Sequence, residues 1–215
     1  MAIVRIPRIF RQAYPGLTWK LPGDRKVLYV TFDDGPTPGV TSAVLSILER
    51  FGARATFFCI GRNAERHPET LREIIARGHT LGNHTYSHLK GWFTPDREYF
   101  EDIRLAARII PSGLYRPAYG MITPRQVKYL EKQFRIVMWD IMSYDFHPGT
   151  SREKCLGNVI RYARSGSVIV FHDSVKASEK VLYALPGMLE YFGEQGYTFD
   201  PLQHPLHNEP HEYAK

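Results

Sequence analysis

Two adjacent carboxylates, Asp33 and Asp34, end an apolar, strand-like stretch and stand directly before Gly35 and Pro36. Like charges held this close raise the pKa of one acid strongly, unless a cation binds one carboxylate and leaves the other free to act as a base. For an isolated pair of this kind, a turn with two solvated aspartates is the better interpretation. The chemistry of the pair therefore depends on whether the chain supplies the rest of a cation site.

Two histidines supply candidate ligands. His84 and His88 have the four-residue spacing that places both imidazoles on one face of a helical turn, where they can bind one metal ion. Taken alone, this spacing is better explained by two surface histidines. With one aspartate of the earlier pair, however, it gives three ligands, which leaves a hydrolytic metal one position for water. We expect a divalent metal, with zinc favoured and iron, cobalt or nickel compatible with the same donors.

Polar residues also end two later apolar stretches. Arg116, in YRPAYG, could hold a carboxylate ionised, and the turn after it could present a backbone N–H to an oxyanion. His172 ends VIVFH, and an acid such as Asp145 would support its charged form, which suits a general acid. An exposed arginine in a turn and a structural histidine are the alternatives.

The elements that carry these residues alternate between strands and helices. The pattern predicts strands over 27–32, 55–60, 79–82, 114–116, 135–139, 167–171 and 197–199, and helices over 40–51, 69–77, 96–109, 124–132, 151–164 and 177–192. About seven such units without a repeat or long linker predict one α/β domain with a largely parallel sheet. Functional residues then gather at the carboxyl ends of the strands. Periodicity does not distinguish an open sheet from a closed barrel.

Composition indicates an ordinary globular protein. The chain has 215 residues, of which 43% are hydrophobic and 23% charged. The net charge of +6 comes almost entirely from residues 1–26, which hold six basic residues and one aspartate. We therefore expect no nucleic-acid groove. Cys59 and Cys155 give no disulfide framework.

The two ends of the chain differ from its centre. We expect residues 1–26 to be a basic segment packed on a domain spanning 27–200, because Pro7 and Pro15 would interrupt an amphipathic helix. A weak membrane-surface anchor and a frayed terminus are the alternatives. Residues 201–215 read as a polar, solvated tail, although its histidines could bind stray metal; they are His204, His207 and His211. Neither a signal peptide nor a membrane span is predicted.

Five motifs occur in a fixed order: TFDDG, HTYSH, RPAYG, SYDF and VIVFH. In this order they resemble the NodB-homology polysaccharide deacetylases, carbohydrate esterase family 4, over about residues 27–172. The resemblance implies a distorted (β/α) barrel with about seven largely parallel strands in one domain. It also implies metal-dependent removal of N-acetyl groups from chitin-like or peptidoglycan sugars, or of O-acetyl groups from glycans such as xylan.

The resemblance implies a role for each motif residue. The implied metal ligands are Asp34, His84 and His88. The implied catalytic set is Asp33 as general base, Arg116 orienting it, Tyr119 giving its backbone N–H to the oxyanion, His172 as general acid and Asp145 tuning His172.

The chain departs from the family pattern at three places. Ala118 stands where a second proline is usual, Phe146 where tryptophan is common, and Val168 and Val170 where leucines are frequent. By the resemblance, Phe146 and Val170 would form walls of the acetyl-methyl pocket, so the substitutions bear on substrate preference. Trp92, beside Phe93, could stack on a sugar ring at the rim, and packing under a loop is an equal alternative.

The expected partner is therefore an acetylated glycan or oligosaccharide, and no oligomeric state is predicted. The runner-up function is an intracellular metal-dependent C–N hydrolase acting on a non-carbohydrate amide or imide. A catalytically silent carbohydrate-binding module is a weaker alternative, because no metal-ligand or acid–base position is lost. The absence of a leader indicates a cytoplasmic location, whereas the substrate class indicates the cell envelope or secretion.

Overall fold

The computed structural model describes residues 3–23 and 25–203. Its strands are β1 (Val27–Asp33), β2 (Thr56–Cys59), β3 (Thr80–Asn83), β4 (Leu114–Tyr115), β5 (Arg135–Ile136), β6 (Ile141–Met142), β7 (Val168–His172) and β8 (Thr198–Phe199). All the strand pairs are parallel, in the order β5-β4-β3-β2-β1-β7-β6, with β8 paired to the start of β1. The predicted α/β domain with a largely parallel sheet is confirmed.

Helices join and cover the strands. They are α1 (Arg8–Ala13), α2 (Val40–Arg50), α3 (Gly61–Arg66), α4 (Pro68–Ala76), α5 (Asp96–Ala107), α6 (Pro124–Leu130), α7 (Arg152–Tyr162) and α8 (Ser178–Gly193). Thr123 and Gln126 form a reciprocal capping box at the start of α6, and the Ser151 side chain accepts the first-turn N–H of α7. No described helix combines the length and the apolar character needed to cross a bilayer.

Strand β1 shows how the fold aims its side chains. Its side chains alternate between the two faces of the sheet. Leu28, Val30 and Phe32 join the main core beneath the helices, where all three are fully buried. Thr31 and Asp33 point to the opposite face, toward the interior of the curved sheet. The carboxyl end of β1 therefore delivers a carboxylate into that interior.

The predicted series of elements needed correction. The sequence predicted one strand over 135–139, but β5 stops at Ile136 and a separate strand, β6, follows. The Val137 N–H still donates to Tyr115 of β4, whereas the Met138 N–H donates to Thr18 of the N-terminal segment. The chain thus leaves the β5 edge of the sheet here and crosses to the opposite edge, where it forms β6. The short helix α3 was also missed, because six residues are too few to show an apolar period.

The N-terminal segment lies against both end strands of the sheet. Arg5 forms a bridge with Ile141 of β6, and Thr18 forms one with Val137, directly after β5. Pro7 and Pro15 flank the short helix α1 instead of interrupting it.

At the other end of the chain, Leu202 is buried and its N–H donates to the Thr56 hydroxyl. The packed domain therefore extends past residue 200. The rest of the predicted tail, residues 204–215 with its three histidines, lies outside the described residues.

Candidate metal and acid–base site

Three side chains that the sequence singled out converge at one point. Asp34 Oδ1 lies 3.2 Å from His88 Nε2 and 3.8 Å from His84 Nε2. One ligand atom from each residue lies within 4.8 Å of the others. A carboxylate oxygen and two imidazole nitrogens fit zinc and related divalent ions, and three protein ligands leave a tetrahedral ion one open position. The described residues thus include a candidate metal site.

The two histidines do not lie on a helical turn, as their spacing had predicted. His84 follows β3 directly, and the loop after it contains positive φ angles at Thr85 (65°) and His88 (61°). The Asn83 side chain accepts the Thr85 N–H, and the Asp102 carboxylate accepts the next two N–H groups. These side chains accept hydrogen bonds from the backbone N–H groups that a helical turn would use. The imidazoles are therefore brought together by an irregular loop and not by a helical turn.

Hydrogen bonding and burial prepare the imidazoles for this role. The Nδ1 atom of His84 is 2.8 Å from the Arg116 carbonyl oxygen, which makes Nδ1 the protonated nitrogen and leaves Nε2 as a ligand atom. Burial, followed by the charge of His84, lowers the pKa of His88 to about 4. His88 is therefore neutral near pH 7, as a ligand must be.

Asp33 lies against a buried arginine. Arg116 donates from Nη1 to Asp33 Oδ1 at 2.6 Å and to Thr31 Oγ1 at 2.7 Å. Burial alone would raise the pKa of Asp33, but Arg116, and after it the His84 and His172 side chains, lower it below its ordinary value. Asp33 is therefore held as a carboxylate inside the protein.

The guanidinium is fixed on every side by groups that sequence reasoning did not identify. Its Nε donates to the Val137 carbonyl at 3.1 Å, and Nη2 donates to the Met138 carbonyl at 2.9 Å. The Phe58 ring lies 4.0 Å from its central carbon. Backbone carbonyls carry no sequence signal, so these partners could not have been found from residue types.

The turn after β1 separates the two aspartates. Asp33 is the last residue of β1, whereas Asp34 adopts a positive φ of 79° that turns the chain toward the histidines. Asp173 holds this turn: its carboxylate accepts the Gly35 N–H at 3.0 Å and the Thr41 hydroxyl at 2.6 Å. A Cβ at residue 35 would lie 2.0 Å from an Asp173 oxygen, so this close approach requires glycine. Asp173 was not predicted as a functional residue, although it directly follows His172.

His172 and Asp145 form a buried pair at the end of β7. Asp145 Oδ1 lies 2.8 Å from His172 Nδ1, and Oδ2 accepts the His172 backbone N–H at 2.6 Å. Burial disfavours the imidazolium, but the Asp145 carboxylate and its hydrogen bond outweigh it and raise the pKa of His172 to about 9. The histidine therefore carries a proton at neutral pH, with Nε2 left to donate it.

Three further predicted residues, Tyr119, Phe146 and Val170, lie near the reaction site in different ways. Tyr119 has a positive φ of 59°, and its backbone N–H has no hydrogen-bond partner among the described residues. Phe146 packs edge-on against His172, with ring centroids 4.9 Å apart. Val170 is fully buried and lies two residues before His172, on the same face of β7.

Trp92 is the least connected of the predicted residues. Its side chain is exposed, and its indole N–H donates to the Ile122 carbonyl at 3.0 Å. Within the described ranges it has no hydrogen bond or ring contact with the metal or acid–base residues. The structure does not bring it together with the rest of the site.

Comparison with known proteins gives concordant results. Residues 20–135 match the family model described as polysaccharide deacetylase. The chain is 32% identical over 193 residues to a peptidoglycan-N-acetylglucosamine deacetylase of Bacillus cereus, covering 85% of this chain and 89% of the relative. It is 31% identical over 180 residues to a chitooligosaccharide deacetylase of Azorhizobium caulinodans, covering 80% and 85%.

A solved structure shares the fold. The crystal structure of the Bc1960 peptidoglycan N-acetylglucosamine deacetylase superposes with a TM-score of 0.85 at 30% sequence identity. The match covers 92% of this chain and 95% of that one. The predicted distorted (β/α) barrel is confirmed by this likeness together with the strand order.

Proposed function

The chain belongs to the polysaccharide deacetylase family, and from this membership we propose that it removes acetyl groups from N-acetylated sugars of the peptidoglycan or chitooligosaccharide type. The observation that carries the proposal is the separation of the two adjacent carboxylates. Asp33 lies against Arg116, while Asp34 lies against two histidines. One acid is thus available as a base and the other as a metal ligand.

We assign the metal ligands to Asp34, His84 and His88 and favour zinc among the divalent ions that suit them. When bound there, such an ion would polarise the acetyl carbonyl and acidify water. The two neutral imidazoles and one carboxylate leave the site with a net positive charge once it is loaded. That charge attracts the carbonyl oxygen of the acetyl group.

Asp33 is the proposed general base. Its Oδ1 accepts a hydrogen bond from Arg116, whereas Oδ2 has no hydrogen-bond partner among the described residues. We therefore assign Oδ2 as the atom that receives the proton of the attacking water. Arg116 keeps this carboxylate ionised and fixes its direction. General-base assistance of this kind contributes roughly 10²–10⁴-fold to a rate.

His172 is the proposed general acid. Asp145 binds Nδ1, so the proton on Nε2 is the one that can pass to the departing sugar nitrogen. An amine is a poor leaving group unless it is protonated, so this transfer must accompany C–N cleavage. The unpartnered N–H of Tyr119 is the proposed donor to the oxyanion.

Phe146 and Val170 are the proposed walls of the pocket for the acetyl methyl group. Phe146 contacts His172 directly, and Val170 lies on the same strand face as His172. Both are apolar, so they would exclude water from the side of the acetyl group that does not react. Trp92 is retained only as a candidate at the rim.

Acetate release tests the proposal. The protein should release acetate from N-acetylglucosamine oligomers, lose this activity on chelation, and regain it with added zinc. The Asp33→Asn variant should bind the same oligomers but release acetate roughly 10²–10⁴-fold more slowly. Release of product only from small cyclic amides would favour the alternative C–N hydrolase, and a wild-type protein that binds oligomers but turns over none would be a binding module.

A further inference from the structure

A cleft of about 560 Å³ lies beside the proposed reaction site and has no part in the chemistry described above. One wall is the loop after β6, represented by Tyr144 and His147. The opposite wall is one face of α7, represented by Lys154, Gly157 and Arg161. The cleft is neither enclosed nor flat, so a flexible group on a polymer could enter it from solvent.

The loop that forms the first wall also contacts the acid–base pair. The Phe146 ring lies 4.9 Å from the His172 ring and 5.8 Å from the Tyr144 ring, measured between centroids. The loop is held from both sides, because the Tyr144 hydroxyl donates to the Ile3 carbonyl and the Lys180 ammonium donates to the His147 carbonyl. The cleft therefore begins one side chain away from the reaction site, on a wall that is fixed in place.

The charged side chains that line the cleft, Lys154 and Arg161, are both basic. Lys154 and Arg161 are seven residues apart on one face of α7, which places them about 10 Å apart along the helix axis. No carboxylate lines the cleft, and neither cation forms an ion pair within the described ranges. In contrast, Arg152 of the same helix pairs with Glu153 at 2.9 Å. The two cations that face the cleft are thus available for an anion from outside.

Gly157 lies midway between these cations. A Cβ at this position would meet nothing within 4 Å, and φ there is not in the left-handed region. Glycine in a helix interior is destabilising relative to alanine, and neither packing nor backbone conformation requires it here. What the glycine does provide is open space at the centre of the α7 wall of the cleft.

We propose that this cleft binds a carboxylate-bearing substituent of the glycan while the neighbouring acetamide occupies the reaction site. The inference rests on the proposed deacetylase function and narrows its substrate class. A guanidinium matches the planar carboxylate through paired hydrogen bonds, and the ammonium adds a second positive charge. A glycan with free carboxylates, such as a peptidoglycan fragment, uses this cleft. A neutral chitooligosaccharide does not.

Steady-state kinetics test the selectivity. The substrates are a peptidoglycan-derived fragment with free carboxylates and a neutral N-acetylglucosamine oligomer of similar length, each with the wild type, Lys154→Gln and Arg161→Gln. Each substitution should raise KM for the acidic fragment about two- to fivefold, as expected for an exposed charge pair, and leave KM for the neutral oligomer unchanged. Arg152→Gln removes the same charge from the same helix outside the cleft and should change neither. Equal effects on both substrates, or none on the acidic one, would overturn the proposal.

Direct binding keeps the test independent of turnover. Gly157→Leu should fill the centre of the cleft from its α7 wall without disturbing the helix. Calorimetry can compare binding of the acidic fragment by the wild type, this variant and the double variant Lys154→Gln/Arg161→Gln. Both variants should bind the fragment more weakly than the wild type. If the wild type releases no acetate from either substrate, the proposed function fails while this comparison still decides the cleft. Equal binding by all three proteins, or no binding by the wild type, excludes the cleft as a binding site for the carboxylate.

Discussion

Asp33 and His172 are register partners at the carboxyl ends of the adjacent parallel strands β1 and β7. Partners in a parallel pair point to the same face of the sheet, so the proposed base and the proposed acid face the same cavity from neighbouring strands. Each has its own buried counter-charge: Arg116 for Asp33 and Asp145 for His172. One side chain is thereby kept deprotonated and the other protonated at the same pH.

Replacing Asp33 by asparagine should separate chemistry from metal binding. The proposed metal ligands do not include Asp33, whereas loss of a general base lowers rates by roughly 10²–10⁴-fold. We expect kcat for acetate release to fall within that range while metal content, measured by atomic spectrometry, stays at the wild-type level. Loss of metal in Asp33→Asn would reverse the assignment of the two aspartates.

Replacing His84 by alanine should remove bound metal as well as activity, unlike the Asp33 substitution. His84 contributes one of the three proposed ligand atoms, so the variant should lose bound metal and activity together. Metal analysis and acetate release on the same sample provide the check. His67→Ala, which changes a histidine outside the cluster, should retain both. A His84→Ala protein that keeps stoichiometric metal would contradict the proposed ligand set.

The Asp145→Asn variant should change the alkaline side of the pH–rate profile. His172 must be protonated to act as the acid, and its raised pKa of about 9 keeps it so through neutral pH. Activity should therefore fall as pH rises through that value. Removing the Asp145 charge lowers the pKa of His172, so the fall should move to lower pH by roughly one to three pH units.

The acidic side of the same profile provides the control. It reports protonation of the proposed ligand His88, with a pKa of about 4, and of Asp33, whose pKa is lowered by Arg116 against the effect of burial. Asp145→Asn leaves that pair intact, so kcat/KM should fall at the same low pH as in the wild type. If both the acidic and the alkaline limbs of the profile moved, Asp145 would affect the other titrating groups of the site and not His172 alone.

Much of the site was predictable because its side chains have distinctive chemistry at strand ends. Asp33, Asp34, His84 and His88 were found by residue type and spacing, and the parallel strands account for their convergence. The helical turn predicted for the histidines was wrong, since the bonds from Asn83 and Asp102 that shape the loop are tertiary. Spacing alone also could not separate two adjacent aspartates, which differ only in the side chains that the fold places beside them.

Stability should depend on pH through His79, which directly precedes β3 and so lies at the end of that strand opposite to His84. Its Nδ1 accepts the Ala55 N–H at 3.2 Å, and burial, followed by Arg54 and Arg77, lowers its pKa to about 4. The unfolded histidine has a pKa of about 6.5, so the unfolded state binds the proton first. The free energy of unfolding should therefore be highest above pH 6.5 and decline as pH falls toward 4.

An asparagine at position 79 can accept the same N–H without titrating. Urea unfolding of the wild type and His79→Asn at pH 7.5, 6 and 5 should show a steeper loss in the wild type. Every other titrating group is common to both proteins, so the difference isolates His79. Parallel losses would show that its protonation does not control acid stability.

The Arg116→Lys variant tests whether the charge or the shape of this side chain supports Asp33. A lysine keeps the charge but lacks the planar fork, and it cannot bond Asp33 together with the Val137 and Met138 carbonyls. Each buried carbonyl left without a donor costs about 1–3 kcal/mol. We therefore expect a lower free energy of unfolding in urea and a kcat reduced at least tenfold, because a carboxylate held by one flexible contact is poorly aimed. Thr31→Val, which removes only the hydroxyl that Nη1 also contacts, should have a smaller effect on both. If the lysine variant retained wild-type kcat and stability, a positive charge alone would be sufficient at this position.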